Sequence, residues 1–227
     1  MMAPPGIAWL EQSVSWRSHN TLRYIASVFP IELITTSQQI PDVPYAGVHQ
    51  LPRSSYAFQR APAFARIVRD LRRANRVELS VAFQCIGFMV RAVPQVHVFG
   101  GSFCEQRRVL SGAGQLRSPL RRLVGFAHFS VPEMVSCRRA TKVVAETEAT
   151  KAEAVKHHGR HPDDIYVIPP GVGEDFKAIH SRKRWPTRPR LLFVGRLECL
   201  KGIRRLLELL QGDFGAIQVH FGVTDRL

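Results

Sequence analysis

Short apolar runs alternate with stretches in which apolar residues return every three or four positions, and the alternation runs along most of the chain. "IAWL" at 7–10 has the unbroken apolar character of a strand covered on both faces. After it, Leu22, Ile25, Ala26 and Phe29 stand at i, i+3, i+4 and i+7, the stripe of a helix lying on a sheet. "IELITT" at 31–36 is the next predicted strand. A second helix is expected to open near Pro62, whose fixed φ suits a first turn. It turns Phe64, Ile67, Val68 and Leu71 inward and leaves Arg66, Arg69, Arg72, Arg73 and Arg76 on the remaining surface. Strand, helix, strand in this order predicts an α/β fold with parallel layering.

Two apolar runs around Arg91 and Pro94 lead to a predicted strand at about 95–99. Gly100 and Gly101 form the turn beyond its carboxyl end, where open α/β sheets place ligands. The stretch 105–140 is basic and mostly helical, with "SGAGQ" at 111–115 as a loop. "KVVA" at 142–145 is a strand, Thr147 or Thr150 caps the following helix, and Thr150 with Glu153 has the capping-box form. Gly159 closes that helix, and "IYVIPPGV" at 165–172 is a strand running into a rigid turn.

Residues 177–190, charged and rich in proline, read as a linker between a first domain at 1–176 and a second unit at 191–227. That unit holds "LLFV" at 191–194, a helix over about 201–211 and "AIQVHF" at 216–221. The helix gathers Ile203, Leu206, Leu207 and Leu210 on one face. A lone β-α-β cannot cover both faces of its sheet, so the second unit is expected to be incomplete.

With 227 residues, 45% of them hydrophobic, the chain can bury a sizeable core. The net charge of +14 and a pI near 10.6 suggest a polyanionic partner: nucleic acid, an anionic membrane surface or phosphorylated ligands. The alternative is the solvated surface of an arginine-rich protein. The bases are dispersed over Arg60 to Arg76, Arg107 to Arg122, Arg138 to Lys142 and Arg182 to Arg190. No helix-turn-helix, zinc finger or aromatic RNA-binding signature accompanies them, so nucleic acid is not the expected partner.

Cys85, Cys104, Cys137 and Cys199 form no C-x-x-C pair and signal neither a zinc site nor a disulfide framework, which fits a reducing cytoplasm. "MMAPPGIAWLEQ" lacks the basic start of a secretory signal, and the apolar run at 81–90 is too short to span a bilayer. Membrane contact is therefore expected to be peripheral, at the inner face, with the arginine face of 60–76 as its candidate surface.

The chemistry concentrates in "FVGRLECLKGI" at 193–203. A strand ending at Gly195 turns tightly into a helix whose free N–H groups and positive dipole end point back to the strand tip. Arg196 and Lys201 add two charges there, a planar fork and a point charge suited to a diphosphate. The spacing is neither a Walker loop nor G-x-G-x-x-G, and exposed bases on an ordinary strand-loop-helix remain the competing reading.

This segment is similar to the G-R-L-x-x-x-K-G motif of retaining glycosyltransferases of family 4. "TKVVAETEATKAEAVKHHGRHPDDIYVIPPGVGEDF" at 141–176 resembles the same family's stretch before the interdomain linker. The likeness covers roughly 141–210, and over 1–140 it rests on strand order. It implies the GT-B fold of two facing Rossmann-like domains. It also implies transfer of a sugar, with retention of configuration, from a nucleotide-diphosphate sugar to a glycan or lipid-linked acceptor, as in polysaccharide or glycolipid biosynthesis.

By motif position Arg196 and Lys201 would hold the donor diphosphate without a metal ion or other cofactor, and Gly195 and Gly202 would let the backbone approach it. The family's E-x7-E element lies downstream of Leu227, so a truncated enzyme is expected. "EQSVSWRSHNT" lacks the glycine-rich loop usual after the first strand.

Gly100 and Gly101 stand as the acceptor-side loop, where the family often has a histidine-glycine pair. His97, three residues early, is the one catalytic candidate, against the commoner reading of a core histidine. No other catalytic residue is assigned. His157, His158 and His161 read as surface residues at a helix end rather than a metal cluster, and no metal is expected. The competing functional class is a non-catalytic fragment, or an acceptor- or partner-binding domain lacking the donor half.

Overall fold

The computed structural model describes residues 6–11, 16–52, 57–112, 118–171, 190–194, 201–211 and 218–222. Seven strands form one sheet: β1 (Ile7–Glu11), β2 (Ile31–Thr35), β3 (Gly47–Gln50), β4 (Leu79–Phe83), β5 (Gln95–Phe99), β6 (Lys142–Ala145) and β7 (Ile165–Val167). Their spatial order is β3-β2-β1-β4-β5-β6-β7, and all six pairings are parallel. Ile7 stands level with both Ile31 and Leu79, so β1 is the centre from which the chain winds one way and then the other. This is the α/β, Rossmann-like fold expected from the sequence. The reversal of strand order between β1 and β4 opens a crevice above their carboxyl ends.

The alternation of side chains assigns the faces. Ala8, Leu10, Ile34 and Ala82 pack under α2 (Ala57–Arg73) with its Phe64, Val68 and Leu71. Ile7, Trp9, Leu33 and Val81 take the opposite face with Leu22 of α1 (Trp16–Ala26). A third cluster extends the core along β5 and β6 through Phe99, Val143 and Ala145, with Cys137 of α5 (Val131–Arg139) and Ala154 of α6 (Glu148–His158). Between β5 and α5 run α3 (Phe103–Gly112), α4 (Pro119–Gly125) and a π-helical turn, Phe126–Ser130.

Several elements depart from the sequence reading. Helix α2 opens at Ala57 rather than near Pro62, which lies inside the helix where its missing N–H removes one backbone bond. Residues 81–83 of the 81–90 run are the end of strand β4, and Gln84 at φ 53° turns the chain out of it. β3 was not anticipated; its half-exposed edge position calls for no apolar run. Of the 111–115 stretch, Ser111 and Gly112 belong to α3, and the rest lies outside the described residues.

Helix α6 is capped by Thr147, and its box is completed by Thr150, not by the pair Thr150 and Glu153. Thr147 Oγ1 accepts from Thr150 N at 3.1 Å, and Thr147 N donates to Thr150 Oγ1 at 2.9 Å. Gly159, left-handed at φ 64°, ends the helix as expected.

The chain divides into two compact units, residues 1–105 with 118–173, and residues 106–117 with 174–227. In the second, β8 (Arg190–Val194) and β9 (Gln218–Gly222) pair in parallel, and α7 (Ile203–Leu210) connects them. Leu207, expected on the inward face of α7, is 50% exposed, whereas Ile203, Leu206 and Leu210 are half-buried. The 177–190 stretch lies outside the described residues except Arg190, the first residue of β8.

Candidate functional site

The carboxyl edge of the sheet collects the polar groups of the first unit. At the end of β1, Glu11 is buried and accepts the Trp9 indole N–H at 3.0 Å. Tyr45 has its phenol pushed up to about 12 by burial and then by the Glu11 charge.

At the end of β5 the chain passes through Gly100, Gly101 and Ser102 into α3. Gly101 adopts φ 127°, a backbone region that side chains avoid, and this sharp turn aims the first amides of α3 inward. Each finds an oxygen from the protein itself. Ser102 N donates to Glu153 Oε2 at 2.7 Å, Phe103 N to Glu133 Oε2 at 3.0 Å, and Cys104 N to Ser102 Oγ at 3.1 Å. The start of α3 is therefore sealed by carboxylates from α5 and α6. Glu146, at the end of β6, stands beside Gly100, where an added Cβ would lie 3.6 Å from its Oε1.

His97 is fully buried on β5, turned to the α5 side of the sheet. Gln95 Nε2 donates to Ser136 Oγ at 2.9 Å, and Ser136 Oγ lies 3.0 Å from His97 Nδ1. Burial above all, then the nearby charges of His158 and Arg160, depress the His97 imidazole to about 3, so it is neutral at ordinary pH. Its Nε2 has no hydrogen-bond partner. The structure thus places His97 within the core rather than at the crevice.

His158 corrects the surface reading. It is fully buried, edge-on to Phe99 at 5.3 Å, and its Nε2 lies 3.3 Å from Glu133 Oε2 without hydrogen-bond alignment. Burial raises the Glu133 carboxyl above its ordinary value, opposed by His158 and the Phe103 amide. His157 and His161 do keep partial or full exposure. Among the described residues no three histidine, cysteine, aspartate or glutamate side chains gather to hold a metal.

Of the donor-side candidates, Gly195 and Arg196 lie outside the described residues. Lys201 and Gly202 are exposed and precede α7 directly. Gly202 caps α7 at φ 77°, ψ 15°, and no side chain caps its first amides. Nothing lies within 4 Å of a Cβ added there, so it is the left-handed φ that calls for glycine, not crowding. Sequence reasoning missed Glu133, Ser136 and Gln95, whose partners are 30 to 41 residues away in the chain and leave no local signal.

No protein-family model matches the chain. It is 31% identical over 123 residues to the D-inositol 3-phosphate glycosyltransferase of Pseudarthrobacter chlorophenolicus, a match covering 51% of this chain and 27% of that protein. The protein of the same name from Segniliparus rotundus is 27% identical over 127 residues, covering 52% of this chain and 26% of that protein. The matched stretch is therefore about a quarter of the length of these curated relatives.

Among solved structures, sucrose-phosphate synthase from Thermosynechococcus elongatus superposes with a TM-score of 0.67 at 15% identity, covering 98% of this chain and 63% of that one. Phytolacca americana UGT2, solved with UDP-2fluoro-glucose and pterostilbene, gives a TM-score of 0.53 at 11% identity, covering 86% and 60%. At such identities the structural likeness shows the fold alone, α/β of the Rossmann-like kind.

Proposed function

We propose that this chain takes part in glycosyl transfer from a nucleotide-diphosphate sugar to a hydroxyl of a glycan or lipid-linked acceptor, with retention of configuration. The observation that carries this reading is the start of α7: a left-handed, uncapped Gly202 beside exposed Lys201, in a strand-helix-strand unit. Unsealed first-turn amides and a lysine suit a diphosphate oxygen. The names of the curated relatives, both glycosyltransferases, support the reaction class.

In this reading Arg196 and Lys201 stabilise the charge that grows on the nucleoside diphosphate as its bond to the sugar C1 breaks. The acceptor hydroxyl oxygen bonds to the same carbon on the face that the diphosphate leaves, and its proton passes to the departing diphosphate oxygen. Gly195 and Gly202 keep the backbone low beneath the diphosphate. Fixed positive groups supply the electrostatic stabilisation, with no metal ion required of them. Gly100 and Gly101 border the acceptor side, and His97 keeps its part within the core beneath them.

A peripheral position at the inner face of a membrane belongs to the same proposal, with the docking surface moved from α2 to α4 and the π-turn. Leu120, Leu123, Val124, Phe126 and Phe129 are exposed large apolar residues there. They lie in a stretch, 106–132, with five arginines and no acidic residue. No helix among the described residues is long and apolar enough to cross a membrane.

Calorimetric titration of uridine diphosphate into the wild-type chain, Arg196→Ala and Lys201→Ala tests the site. Each variant is expected to bind roughly ten- to a hundredfold more weakly, the loss of one charge-assisted contact. Equal affinity in all three would remove the assignment.

A further inference from the structure

Open α/β sheets receive their ligands at the carboxyl ends of the strands, and a helix that starts there offers an anion its first amides. Helix α3, which follows β5, starts in such a place, yet its first amides are taken. Ser102 N donates to Glu153 Oε2 at 2.7 Å and Phe103 N to Glu133 Oε2 at 3.0 Å. The two carboxylates come from different helices, 51 and 30 residues away in the chain, so the closure is a tertiary feature and not a local cap.

Helix α6 reaches α3 twice. Glu153 and His157 stand one turn apart on one face of α6, and His157 Nε2 lies 4.0 Å from Glu105 Oε2 in the first turn of α3. On α5, Glu133 is 1% exposed. Beside it stands His158, fully buried and with neither ring nitrogen hydrogen-bonded, 3.3 Å from the same Oε2.

The glycine side of the turn is bordered by carboxylates as well. The three atoms nearest to a Cβ placed at Gly100 all belong to Glu146, at 3.6–3.9 Å. Among the described residues, the one atom within 4 Å of a Cβ placed at Gly101 is Glu153 Oε2. Helix α7 is the opposite case: no side chain caps its first amides, no acidic residue lies in its first turn, and exposed Lys201 precedes it. An oxyanion meets open donors and a cation at α7, whereas at α3 it meets occupied amides and like charge.

We infer that Glu153 is a positioning residue that fixes the Gly100–Ser102 turn and bars oxyanions from it, so that the acceptor presents there a neutral hydroxyl with no phosphate or carboxylate on the adjoining carbon. That an acceptor meets this turn rests on the glycosyl-transfer reading; the exclusion of oxyanions rests on the two hydrogen bonds and the carboxylates around them. Glu153 acts through the backbone. It holds Ser102 N, and the Ser102 hydroxyl in turn accepts Cys104 N at 3.1 Å.

Thermal unfolding of the full chain in inorganic phosphate, against chloride at equal ionic strength, tests the exclusion. Glu153→Ala bares one α3 amide and removes one negative charge. Its Tm is expected to rise saturably with phosphate, with half-saturation at least about tenfold below that of wild type. A merely structural role would not give this gain, because loss of a stabilising contact lowers the Tm alike in phosphate and in chloride. Amide hydrogen exchange at Ser102 is expected to speed up in Glu153→Ala and to return toward the wild-type rate in Glu153→Gln, which keeps an oxygen acceptor without the charge.

A phosphate gain in Glu153→Ala smaller than this, or Ser102 exchange unchanged in the alanine variant, overturns the inference. If the alanine variant does not fold, Glu153→Gln carries the comparison: loss of the charge alone is expected to tighten the phosphate response, and a response no tighter than that of wild type overturns it. Uridine diphosphate titrated into the wild-type chain reports separately on the donor reading. If it does not bind, the acceptor meaning of the turn falls, while the exclusion of oxyanions is still decided by the phosphate comparison.

Discussion

Glu133 Oε2 accepts the backbone N–H of Phe103 at 3.0 Å from a side chain only 1% exposed. One buried carboxylate on α5 thereby fixes where α3 begins and holds the Gly100–Gly101 turn at the crevice. Glu133→Ala leaves that amide and His158 without it, and is expected to cost on the order of 2–4 kcal/mol. Glu133→Gln keeps an acceptor and is expected to cost less than about 1.5 kcal/mol. Urea denaturation of the two variants checks the difference, and equal costs would mean that the carboxylate does not anchor the helix.

Acid sensitivity follows from His97. The unfolded chain takes up this proton near the ordinary 6.5 and the folded chain only near 3. Between those values the unfolded state binds more protons, so stability falls as pH falls, by up to about 1.4 kcal/mol per pH unit. Glu133 opposes this: its raised folded-state pKa means that protonation adds stability as pH drops through that value. Melts between pH 4 and 7 are expected to give a shallower acid-side slope for His97→Gln than for wild type. Identical slopes would refute the buried neutral imidazole.

The two glycines after β5 should differ sharply. Gly101, at φ 127°, is expected to lose about 1–3 kcal/mol on substitution by alanine. Gly100→Ala meets only the Glu146 carboxylate, no closer than 3.6 Å, and is expected to stay within about 1 kcal/mol of wild type. Parallel denaturant titrations decide it; similar losses would place the constraint in space rather than in φ.

Diphosphate binding through Arg196 and Lys201 alone predicts that chelation does nothing and salt does much. Uridine diphosphate affinity is expected to be unchanged in EDTA, and to weaken severalfold when an exposed charge contact is screened by raising salt from low to about 0.5 M. A collapse of affinity in EDTA would show that a cation bridges the diphosphate.

The sequence by itself determined the layering. The period of the apolar residues specifies β1, β2 and the β8-α7-β9 unit, and the capping threonines with Gly159 specify α6, because each is a local pattern: a strand covered on both faces, a stripe facing a sheet, a left-handed glycine closing a helix. It also put Gly202 where only a residue at ease with positive φ serves. What it could not give is which polar side chains meet. His97 and Ser136, or Phe103 and Glu133, become neighbours only when α5 folds back across β5.

Burial was likewise decided by the tertiary structure. Arg60 and Arg66 are the same residue type on the same helix, yet one is buried while the other faces water. The helix end favours a cation and so predicts a surface place for His158, yet it is buried because Phe99 and Glu133 arrive from elsewhere. Hydrophobic period is a property of neighbours along the chain, whereas desolvation and pairing of charge depend on neighbours across it. The fold was therefore legible from the sequence, and the electrostatics of the site were not.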